Sequence, residues 1–462
     1  MPESQLNSDV IAHLRQREME SVLEPASQVG EDALHLLGQD LSTIDWDILD
    51  AQREALVGGP GQTDGILSPP SLTAESTIDC EATRAARAAG LEALGAGRVA
   101  LCTVAGGQAS RLGIDGPKGA FPLGSNTGAS LFQIMAGQVS RLRQITAAEL
   151  PWIIQTSPGN HSDTARFFQR RNWFGLGSQT VHFVCQGTLP ALSPDGQFLL
   201  SSPERLFRNP DGHGGFYAAL ANSGTFDLLR RNGVDLLFYC QVDNPLVRMG
   251  DPCLLGHHLL QGAQMSVKVI AKTNPEEKVG LVAQVDGKTK CIEYSDLSPD
   301  LAAERDGDGG LRFRAGNIAI HSFNLDFAES CADKPLELHL AHKQVVALDG
   351  GLDAVLRAGV KFETFVFDAL PRATKAVVQM CDRSEEFAPV KNQSGADSIL
   401  TSRKALDLRS RKWLDGCNAA FNFSSPGLAE IEPGLCYDAS DLADSPQATL
   451  ECGCNGLLLR RR

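Results

Sequence analysis

Long apolar runs are missing from this 462-residue sequence, since no stretch approaches the ~18 consecutive apolar residues of a membrane-spanning helix. The first ten residues, MPESQLNSDV, also lack the basic region and the apolar core of a secretory signal. Positive charge is scarce too: 42 Lys and Arg are outnumbered by 56 Asp and Glu, a net charge of −14, whereas unselective nucleic-acid binding needs a basic surface. These absences predict a cytoplasmic globular protein that acts on neither membranes nor nucleic acids.

The twelve cysteines are scattered and form no recognisable metal-binding set. Most of them, such as Cys102, Cys185 and Cys240, lie in apolar runs and are predicted to be small core residues. Cys452 and Cys454 form a Cys-x-Cys near the C-terminus, but no second Cys/His pair lies close enough in sequence to complete a zinc site. This usage is typical of a reduced compartment.

Two common phosphate-binding motifs are absent as well, because no Gly-Lys-Ser/Thr closes a Walker A loop and no Gly-x-Gly-x-x-Gly fingerprint occurs. Instead, the apolar run 99–104 predicts a buried strand that ends at Ala-Gly-Gly and is followed by two basic residues, Arg111 and Lys118. Glycines at a strand end let backbone N–H groups approach an anion, and the two cations can contact its oxygens. We therefore predict a phosphate-binding loop over 101–119, in preference to a tight turn with two solvated cations.

Apolar runs alternate with helical periodicity over about residues 98–390. Predicted strands lie at 98–104, 151–156, 180–185, 235–242 and 265–271, and predicted helices at 129–144, 161–172, 215–231 and 251–261. This alternation predicts an α/β fold with a mixed, mostly parallel sheet and helices on both faces. We predict three domains: a helical N-terminal domain (1–95), a central catalytic domain (96–392) and a small C-terminal domain (393–462).

A second buried strand is predicted to end at Asp243. The carboxyl ends of parallel strands share one edge of a sheet, so this carboxylate is expected near the phosphate loop. Mg²⁺ takes one or two carboxylates together with phosphate oxygens, and we predict that Asp243 is a magnesium ligand. The alternative is a cap for a turn or for the helix that begins near Asp251, and it would be preferred if the loop were absent.

Gln186 follows another predicted strand, and its amide can donate and accept hydrogen bonds at once, although a glutamine at a strand end is usually just a turn residue. Downstream, the glycines of PDGHGG (210–215) permit close approach of the backbone to a ligand. His213 lies in this segment, and we predict no general-base role for it, since a lone histidine is more often structural.

Candidates for sugar binding lie further along the chain. A hairpin predicted over 281–295 ends near Glu293, and Asn317 is placed in a short strand (317–321). A carboxylate and an amide can read sugar hydroxyls together, and Gly280 leaves room for a sugar ring. The alternative for Asn317 is a buried strand residue that is satisfied locally, which the neighbouring glycine disfavours.

Two aromatic residues, Phe365 and Phe367, share one face of a strand predicted over 361–368. Such residues are usually core, but they can also form the wall of an apolar pocket that accepts an acetamido methyl group. Lys391 follows as a late cation of the kind that returns to a phosphate site.

The sequence VAGGQASRLGIDGPK resembles the GGxGTRLGxxxPK loop of nucleotidyltransferases that join a sugar 1-phosphate to a nucleoside triphosphate, in the Gly-Gly-Gln form of eukaryotic-type uridylyltransferases. Ala109 replaces the usual glycine and Ser110 the usual threonine, and strain at Ala109 is expected only if that position needs a positive φ. The segments QGTLPALSPDG, PDGHGG, FYCQVDNPLV, KTNPEEKVGLVAQVDG, EYSDLS, AGNIAIH, KFETFVFD and EEFAPVKN follow in order. Over about residues 98–395, the sequence resembles UDP-N-acetylhexosamine pyrophosphorylases.

This resemblance implies a fold, a reaction and a set of site residues. The fold would be a Rossmann-like (GT-A-like) nucleotidyltransferase domain between two smaller domains. In the implied reaction, an N-acetylhexosamine 1-phosphate attacks the α-phosphorus of UTP, giving UDP-N-acetylglucosamine or UDP-N-acetylgalactosamine and pyrophosphate. We expect Mg²⁺ as the cofactor, UTP and a sugar 1-phosphate as the partners, and a monomer or weak homo-oligomer. By resemblance, the site residues would be Arg111, Lys118 and Lys391 for catalysis; Val104, Ala105, Gly106, Gly107, Gln186, Gly212 and Lys361 for the nucleotide; His213, Gly280, Glu293, Tyr294, Asn317, Phe365 and Phe367 for the sugar; and Asp243 for Mg²⁺.

Two alternatives stay open. A UDP-glucose or broad-specificity UDP-sugar pyrophosphorylase would share the fold and the reaction. Position 213 favours it, because N-acetylhexosamine members usually have Asn there and members that act on glucose often have His. The aromatic pair and the AGN segment favour the N-acetyl substrate. A nucleotide-sugar sensor without turnover is suggested only by Ala109, and the retained cations argue against it.

Overall fold

The structure, a computed structural model, describes residues 6–58, 65–73, 78–416, 427–443, 448–453 and 456–461. Its contacts divide the chain into two compact units. The described residues of Met1–Gln62, Gln186–Gly215 and Lys334–Asp368 form the first unit, and those of Thr63–Cys185, Phe216–Asp333 and Ala369–Arg462 form the second. Both units draw on distant segments of the chain, and the three predicted domains stay a prediction.

The helices are mostly short. The α-helices of the described residues are α1 (Ser8–Gln16), α2 (Glu24–Val29), α3 (Glu31–Leu41), α4 (Trp46–Gly58), α5 (Glu81–Gly95), α6 (Leu131–Thr146), α7 (His161–Arg170), α8 (Phe216–Asn222), α9 (Thr225–Arg231), α10 (Pro252–Leu260), α11 (Pro299–Ala303), α12 (Leu325–Ala332), α13 (Arg383–Glu386), α14 (Ile399–Gly416) and α15 (Ala439–Ala443). Short 3₁₀ helices lie at Glu20–Leu23, Ser110–Leu112, Lys118–Ala120, Asn172–Gly175, His213–Gly215 and Val366–Arg372. None of the helices in these described ranges is both long and apolar enough to cross a membrane.

The strands belong to one large sheet and several small ones. In chain order they are β1 (Leu67–Ser68), β2 (Leu72–Thr73), β3 (Val99–Val104), β4 (Trp152–Thr156), β5 (Val181–Cys185), β6 (Thr188–Pro190), β7 (Leu200–Ser202), β8 (Arg205–Leu206), β9 (Arg208–Pro210), β10 (Leu236–Gln241), β11 (Met265–Ala271), β12 (Leu281–Val285), β13 (Lys288–Ile292), β14 (Ala315–Asn324), β15 (Leu338–Leu348), β16 (Ala354–Thr364), β17 (Ala376–Met380), β18 (Leu428–Ile431), β19 (Ala448–Gly453) and β20 (Gly456–Arg461).

In the first unit, helices α1 to α4 share a core with a long two-stranded ribbon. The ribbon strands β15 and β16 pair antiparallel along their whole length. Apolar residues of the helices, such as Leu14, Leu37 and Leu49, are fully buried in one core with Phe362 of the ribbon. The helical character predicted for the N-terminal region is therefore confirmed.

The second unit is organised around an eleven-stranded mixed sheet. Its main path runs β2-β17-β11-β14-β10-β3-β4-β5, and β12 connects β14 to β13 and β1. The strands β10, β3, β4 and β5 are parallel, whereas β14 pairs antiparallel with both β10 and β11. A separate three-stranded sheet of β18, β20 and β19 lies in the C-terminal region, where Leu459 shares a small core with Trp413 of α14.

Helices cover both faces of the large sheet. On one face, Leu94 of α5 and Leu254 of α10 share a core with Leu101 of β3. Side chains alternate between the faces along a strand, and on the other face the ring of Phe216 in α8 lies 5.2 Å from that of Tyr239 in β10. The predicted α/β fold, a mixed sheet with helices on both faces, is confirmed.

Two element predictions are corrected in detail. The helix predicted over 215–231 is two helices, α8 and α9, because Gly224 between them has a left-handed φ of 67°. Asn317 lies in a longer strand than predicted, β14, which bulges where Ala319 has a φ of 55°.

The strand predicted over 361–368 ends at Thr364. Phe365 lies just beyond it and Phe367 lies in a 3₁₀ helix, so the two rings do not share a strand face. The carboxylate of Asp368 accepts from the Phe365 N–H at 3.3 Å. Such a local bond to a side chain competes with the sheet ladder and favours a turn.

The prediction for the cysteines is partly wrong. Cys102 and Cys240 are buried as predicted, but Cys185 is exposed. Cys185 is the last residue of the edge strand β5, which explains its exposure. Cys454 and the side chain of Cys452 lie outside the described residues.

Two glycines let α5 and α10 approach at backbone distance. A Cβ atom at Gly90 of α5 would lie 1.9 Å from the Pro252 carbonyl oxygen, and one at Gly256 of α10 would lie 1.7 Å from the Ala86 carbonyl oxygen. Neither position accepts a side chain unless a helix moves. Because α5 leads almost directly into β3, this contact also fixes the strand that precedes the predicted phosphate loop.

We expect Gly256→Ala to destabilise the protein by about 1–3 kcal/mol, because overpacking forces the helices apart, although alanine is otherwise the better helix former by about 1 kcal/mol. Gly95→Ala is a matched control at the end of α5, where an added Cβ would meet nothing closer than the Thr146 carbonyl oxygen at 3.5 Å. Urea unfolding followed by circular dichroism measures both variants. Equal free energies of unfolding would contradict the role assigned to Gly256.

Candidate functional site

The predicted phosphate loop leaves the carboxyl end of β3 and folds back on itself. The Lys118 N–H donates to the Gly107 carbonyl at 3.0 Å, and the Ala109 N–H donates to the Gly116 carbonyl at 2.9 Å. These two bonds return Lys118 to the glycines at the strand end. Arg111 lies within the loop, in a short 3₁₀ helix, and its side chain is exposed.

The loop backbone accommodates Ala109 without strain. Ala109 has a φ of −91°, so this position does not need the left-handed conformation that favours glycine. Its methyl group is buried in the main core of the second unit. Ala109, the residue that suggested a sensor without turnover, therefore causes no backbone strain in the loop.

The carbonyl groups at the start of the loop are held by the segment that follows β4. The Ser157 hydroxyl donates to the Gly106 carbonyl at 2.7 Å. The Asn160 amide donates to the Ala105 carbonyl at 2.8 Å and to the Gly107 carbonyl at 3.2 Å. These hydrogen bonds connect the start of the loop to the segment after the neighbouring strand, and we call them the Ser157–Asn160 cross-link.

Asp243 lies two residues beyond β10, the parallel neighbour of β3. Its carboxylate is 3.4 Å from the Lys118 ammonium, and 20% of the lysine side chain and 10% of the aspartate side chain are exposed. The Val390 N–H donates to the Asp243 carbonyl at 2.8 Å, so the next residue, Lys391, begins beside the same strand end. The structure brings these three predicted residues, two cations and one carboxylate, to one edge of the sheet.

The oxygen ligand that Asp243 offers suits a cation shared with the phosphate groups of a ligand. Mg²⁺ prefers such oxygens, and it commonly takes one or two carboxylates and completes its shell with phosphate oxygens and water. In the part of the chain that the structure describes, no three His, Cys, Asp or Glu side chains are grouped as a metal cage. Asp243 therefore fits a substrate-bound Mg²⁺ better than a dedicated structural metal.

Asn244 ties the end of β10 to the segment that carries Lys391. Its amide donates to the Glu386 carbonyl at 2.7 Å and accepts from the Ala388 N–H at 3.2 Å. The Glu386 carboxylate is paired in the core with the ammonium of Lys268 at 2.6 Å. Removing one partner of a buried pair leaves an uncompensated charge, so this pair anchors the segment firmly.

Three predicted sugar-binding residues come together beside β14. The Asn317 N–H donates to the Gly280 carbonyl at 2.7 Å. A Cβ at Gly280 would lie 2.9 Å from the Cys291 sulfur and 3.4 Å from a carboxylate oxygen of Glu293. The glycine therefore allows close packing at this point, and room for a sugar ring stays a prediction. Tyr294 follows Glu293 and is exposed.

The amide of Asn317 is engaged within the protein. It accepts from the Ala319 N–H at 2.9 Å and donates to the Cys291 sulfur at 3.4 Å. The bulge at Ala319 turns a backbone N–H out of the ladder, and the Asn317 oxygen satisfies it. This is the local arrangement that sequence analysis disfavoured, and a sugar contact by Asn317 stays a prediction.

In the first unit, Gln186 is oriented by its neighbours. Its side-chain NH₂ group donates to the Asp211 carboxylate at 3.1 Å and to the Gly212 carbonyl at 3.2 Å. The group that Gln186 can offer to a ligand is therefore its amide oxygen. Gly212 has a φ of 86°, and a Cβ there would lie 2.4 Å from the Thr364 carbonyl oxygen, so only glycine fits.

The Asp211 carboxylate has a perturbed pKa. Burial raises its pKa from the ordinary 3.8 to about 6. The hydrogen bond from Gln186 acts in the opposite direction, and the nearby carboxylate of Glu363 raises the pKa further. The group that orients Gln186 therefore titrates close to neutral pH.

His213 and the two predicted phenylalanines form an aromatic cluster. The imidazole stacks on the Phe365 ring with centroids 5.0 Å apart, and Phe365 also stacks with His339 at 4.1 Å. The Val366 N–H donates to Nδ1 of His213 at 3.1 Å. Phe367 lies 5.5 Å from His213 and is only 5% exposed. Phe365, which is half-buried, is thus the more exposed of the two phenylalanines.

Lys361 lies on β16 of the same unit. Its ammonium is 5.4 Å from the centroid of the Phe207 ring. Burial raises the pKa of Glu363 above its usual value, and Lys361 partly offsets this. A contact between Lys361 and phosphate stays a prediction, as do the roles assigned to the other site residues.

Sequence analysis did not single out five side chains that position the predicted site residues within each unit: Ser157, Asn160 and Asn244 in the second unit, and Asp211 and His339 in the first. Ser and Asn near the start of a helix normally indicate a helix cap, so their sequence position does not show that they also bond to the loop carbonyls. Asp211 lies inside PDGHGG, and its place in that motif is the signal that could have found it.

Comparisons with known proteins identify the family of the chain. The profile of the family described as UTP–glucose-1-phosphate uridylyltransferase matches residues 68–414. The Mus musculus protein named UDP-N-acetylhexosamine pyrophosphorylase-like protein 1 is 33% identical over 94% of both chains. UDP-N-acetylglucosamine pyrophosphorylase of Saccharomyces cerevisiae is 35% identical over 77% of both chains. The crystal structure of the Trypanosoma brucei uridine diphosphate N-acetylglucosamine pyrophosphorylase in complex with an inhibitor matches with a TM-score of 0.81 and 26% identity, over 94% of this chain and 93% of that one. The chain belongs to the UTP–glucose-1-phosphate uridylyltransferase family.

Proposed function

We propose that the chain transfers the uridylyl group of UTP to an N-acetylhexosamine 1-phosphate, which yields UDP-N-acetylglucosamine or UDP-N-acetylgalactosamine and pyrophosphate. The observation that carries this proposal is the Lys118–Asp243 pair, 3.4 Å apart beside the glycine loop of β3. A cation and a carboxylate suited to a metal ion, next to such a loop, are what a reaction between two phosphate-bearing substrates requires. The family of the chain and the names of its relatives support the same reaction.

The reaction needs charge compensation rather than a covalent intermediate. A phosphate oxygen of the sugar 1-phosphate attacks the α-phosphorus of UTP in line. The bond between that phosphorus and the oxygen bridging to the β-phosphate breaks, and pyrophosphate leaves with the electron pair. Both substrates are anions, so their approach and the transition state depend on nearby cations. We assign this task to Lys118, Lys391 and Arg111.

Asp243 is the residue that we propose to hold Mg²⁺. When bound, the ion would neutralise phosphate charge close to the reacting phosphorus. Lys118 compensates the same carboxylate in this structure. The loop residues Val104 to Gly107 are proposed to hold UTP. The Ala105 N–H already donates to the Gln155 carbonyl at 2.7 Å, so the N–H groups of Gly106 and Gly107 are the ones that can contact its phosphate groups.

Gln186 is proposed to read the nucleobase. Its NH₂ group is committed to Asp211 and Gly212, which leaves the amide oxygen to accept from a ligand. N3 of uracil carries a hydrogen and donates, whereas N3 of cytosine accepts. The orientation of Gln186 therefore favours UTP over CTP.

The sugar is proposed to be an N-acetylhexosamine. Phe365 offers apolar ring surface for the acetamido methyl group, and Glu293 and Tyr294 offer polar groups for the hydroxyls. Contacts of Phe367, Gly280 and Asn317 with the sugar are part of the same proposal.

A UDP-glucose or broad-specificity UDP-sugar pyrophosphorylase is the second candidate, and the presence of His213 favours it. The contacts of His213 weaken this support, since its ring stacks on Phe365 and its Nδ1 accepts a backbone N–H. The histidine thus has a packing role that does not depend on the sugar. A cytoplasmic location and a monomeric or weakly homo-oligomeric state stay predictions.

The first test is pyrophosphate release from UTP and Mg²⁺ with N-acetylglucosamine 1-phosphate, N-acetylgalactosamine 1-phosphate and glucose 1-phosphate side by side. We expect faster release with the N-acetyl sugars, because Phe365 gains a contact with the acetamido methyl group. Preference for glucose 1-phosphate would establish the second candidate. Binding of UTP with no release from any of the three would leave a sensor.

We expect Asp243→Asn to lower kcat by ~100-fold or more, because the amide binds Mg²⁺ poorly and the transition state loses charge compensation. Binding of UTP without added metal should not weaken, since the variant removes a negative charge next to Lys118. Steady-state rates over a range of Mg²⁺ concentrations, together with calorimetric binding of UTP, measure both effects. Asp227→Asn, an exposed aspartate of α9, is the control. A wild-type kcat would remove Asp243 from the metal site.

We expect Asp211→Asn to change stability in a pH-dependent way. The raised pKa means that the folded protein binds this proton more tightly than the unfolded chain does. The stabilisation from protonated Asp211 is complete below its ordinary pKa of 3.8 and is lost as the pH rises through about 6. At pH ~8 the ionised carboxylate costs about 3 kcal/mol.

The asparagine variant cannot ionise, so its stability relative to wild type should rise between pH ~4 and ~6 and then level off. Its oxygen can still accept from Gln186, which limits other effects. Urea unfolding at a series of pH values measures the difference, with the exposed Asp195→Asn in the same unit as the control. A difference that stays constant with pH would show that Asp211 is not destabilised by burial.

A further inference from the structure

Three successive carbonyl groups of the phosphate loop are held by only two side chains. The Asn160 amide donates to the carbonyls of Ala105 and Gly107, and the Ser157 hydroxyl donates to the carbonyl of Gly106 between them. The three distances run from 2.7 to 3.2 Å. Asn160 is 1% exposed and Ser157 is also buried, so the two donor side chains are largely shielded from water.

Asn160 makes these contacts instead of capping the helix that follows it. It occupies the residue before α7, where Asn normally caps the helix with its side chain, yet its side chain makes no cap bond to α7. Its Oδ1 accepts from the Ser157 N–H at 2.9 Å instead. The NH₂ end of the Asn160 amide therefore bonds to the loop after β3, and its oxygen fixes the segment after β4 that carries Asn160 itself.

The cross-link sets the direction of the loop N–H groups. In a trans peptide, the carbonyl of one residue and the N–H of the next point in opposite directions, and no cis peptide bond occurs among the described residues. With three carbonyls directed at Ser157 and Asn160, the N–H groups of Gly106, Gly107 and Gln108 are directed away from them. Within the described ranges, no protein group accepts from these three N–H groups.

We propose that Asn160 and Ser157 are positioning residues that aim the N–H groups of Gly106, Gly107 and Gln108 at the phosphate groups of the nucleotide. The inference rests on the proposed function, which makes UTP the bound anion. Successive N–H groups that converge on one point bind anions. A glycine loop that has to be ordered on binding loses affinity to conformational entropy, and the cross-link removes that loss before the ligand arrives.

The test compares binding of UTP with binding of uridine, which lacks the phosphates, by calorimetry on the full chain without a sugar substrate. The variants are Asn160→Leu and Ser157→Ala, both of which are uncharged and cannot repel phosphate by themselves. We expect the Kd for UTP to rise ~10-fold or more for Asn160→Leu and ~3-fold or more for Ser157→Ala, with the Kd for uridine within about twofold of wild type. Ser157→Ala removes only one hydroxyl group, and it tests the same proposal if Asn160→Leu does not fold.

Thr164→Val is the matched control. Thr164 is buried on α7, and its hydroxyl makes no hydrogen bond within the described chain. The valine variant has nearly the same shape, and we expect wild-type affinity for both ligands. If the Asn160 and Ser157 variants bound UTP and uridine with equally raised Kd values, the damage would be general and the proposal would be overturned. An unchanged Kd for UTP would overturn it as well. Because binding needs no turnover, a wild-type protein that binds UTP but releases no pyrophosphate would refute the proposed function and leave this inference standing.

Discussion

The parallel register of β3 with β4 and β10 is the constraint on which the proposed phosphate site of the second unit depends. Val104, the last residue of β3, lies opposite Gln155 of β4 and Gln241 of β10. The three strands therefore end at one edge, where β3 leads into the glycine loop, β4 into the Ser157–Asn160 segment and β10 into Asp243. A slip of one residue would turn every side chain of a strand to the other face, so the ladder fixes this arrangement more strongly than any single side-chain contact.

This edge could be predicted because its strands are long apolar runs whose ends are marked by small or polar residues. The predicted strand 265–271 has the bounds of β11, and the prediction for β3 began one residue early. Parallel pairing is then expected from the alternation with helices. The cross-links could not be predicted, because Asn160 before a helix reads as an ordinary cap, and only the position of the neighbouring loop shows where its amide is used.

Two departures from the sequence analysis occur where a local hydrogen bond competes with a sequence pattern. Residues 361–368 have the composition of a strand, but the Asp368 carboxylate accepts from the Phe365 N–H and ends the strand early. At Asn317, a bulge leaves a backbone N–H to be satisfied, and the nearest amide is used for that purpose. In both cases the strand propensity of the segment was assigned correctly. The local structure was decided by a single polar side chain, and the partner of that side chain depends on the folded backbone.

The net charge of −14 sets a further condition on the loop. An acidic protein gains little from long-range attraction of an anion, and surface charges are screened beyond ~8 Å at physiological ionic strength. Affinity for a polyphosphate must therefore come from groups within contact distance of it. Lys118 is one such group, with 20% of its side chain exposed. The backbone N–H groups add dipoles that carry no net charge, so they bind an anion without repelling the nearby Mg²⁺ that the reaction is proposed to use. Their value depends on direction alone, which is why the hydrogen bonds of Asn160 and Ser157, on the side of the loop opposite the ligand, matter for binding.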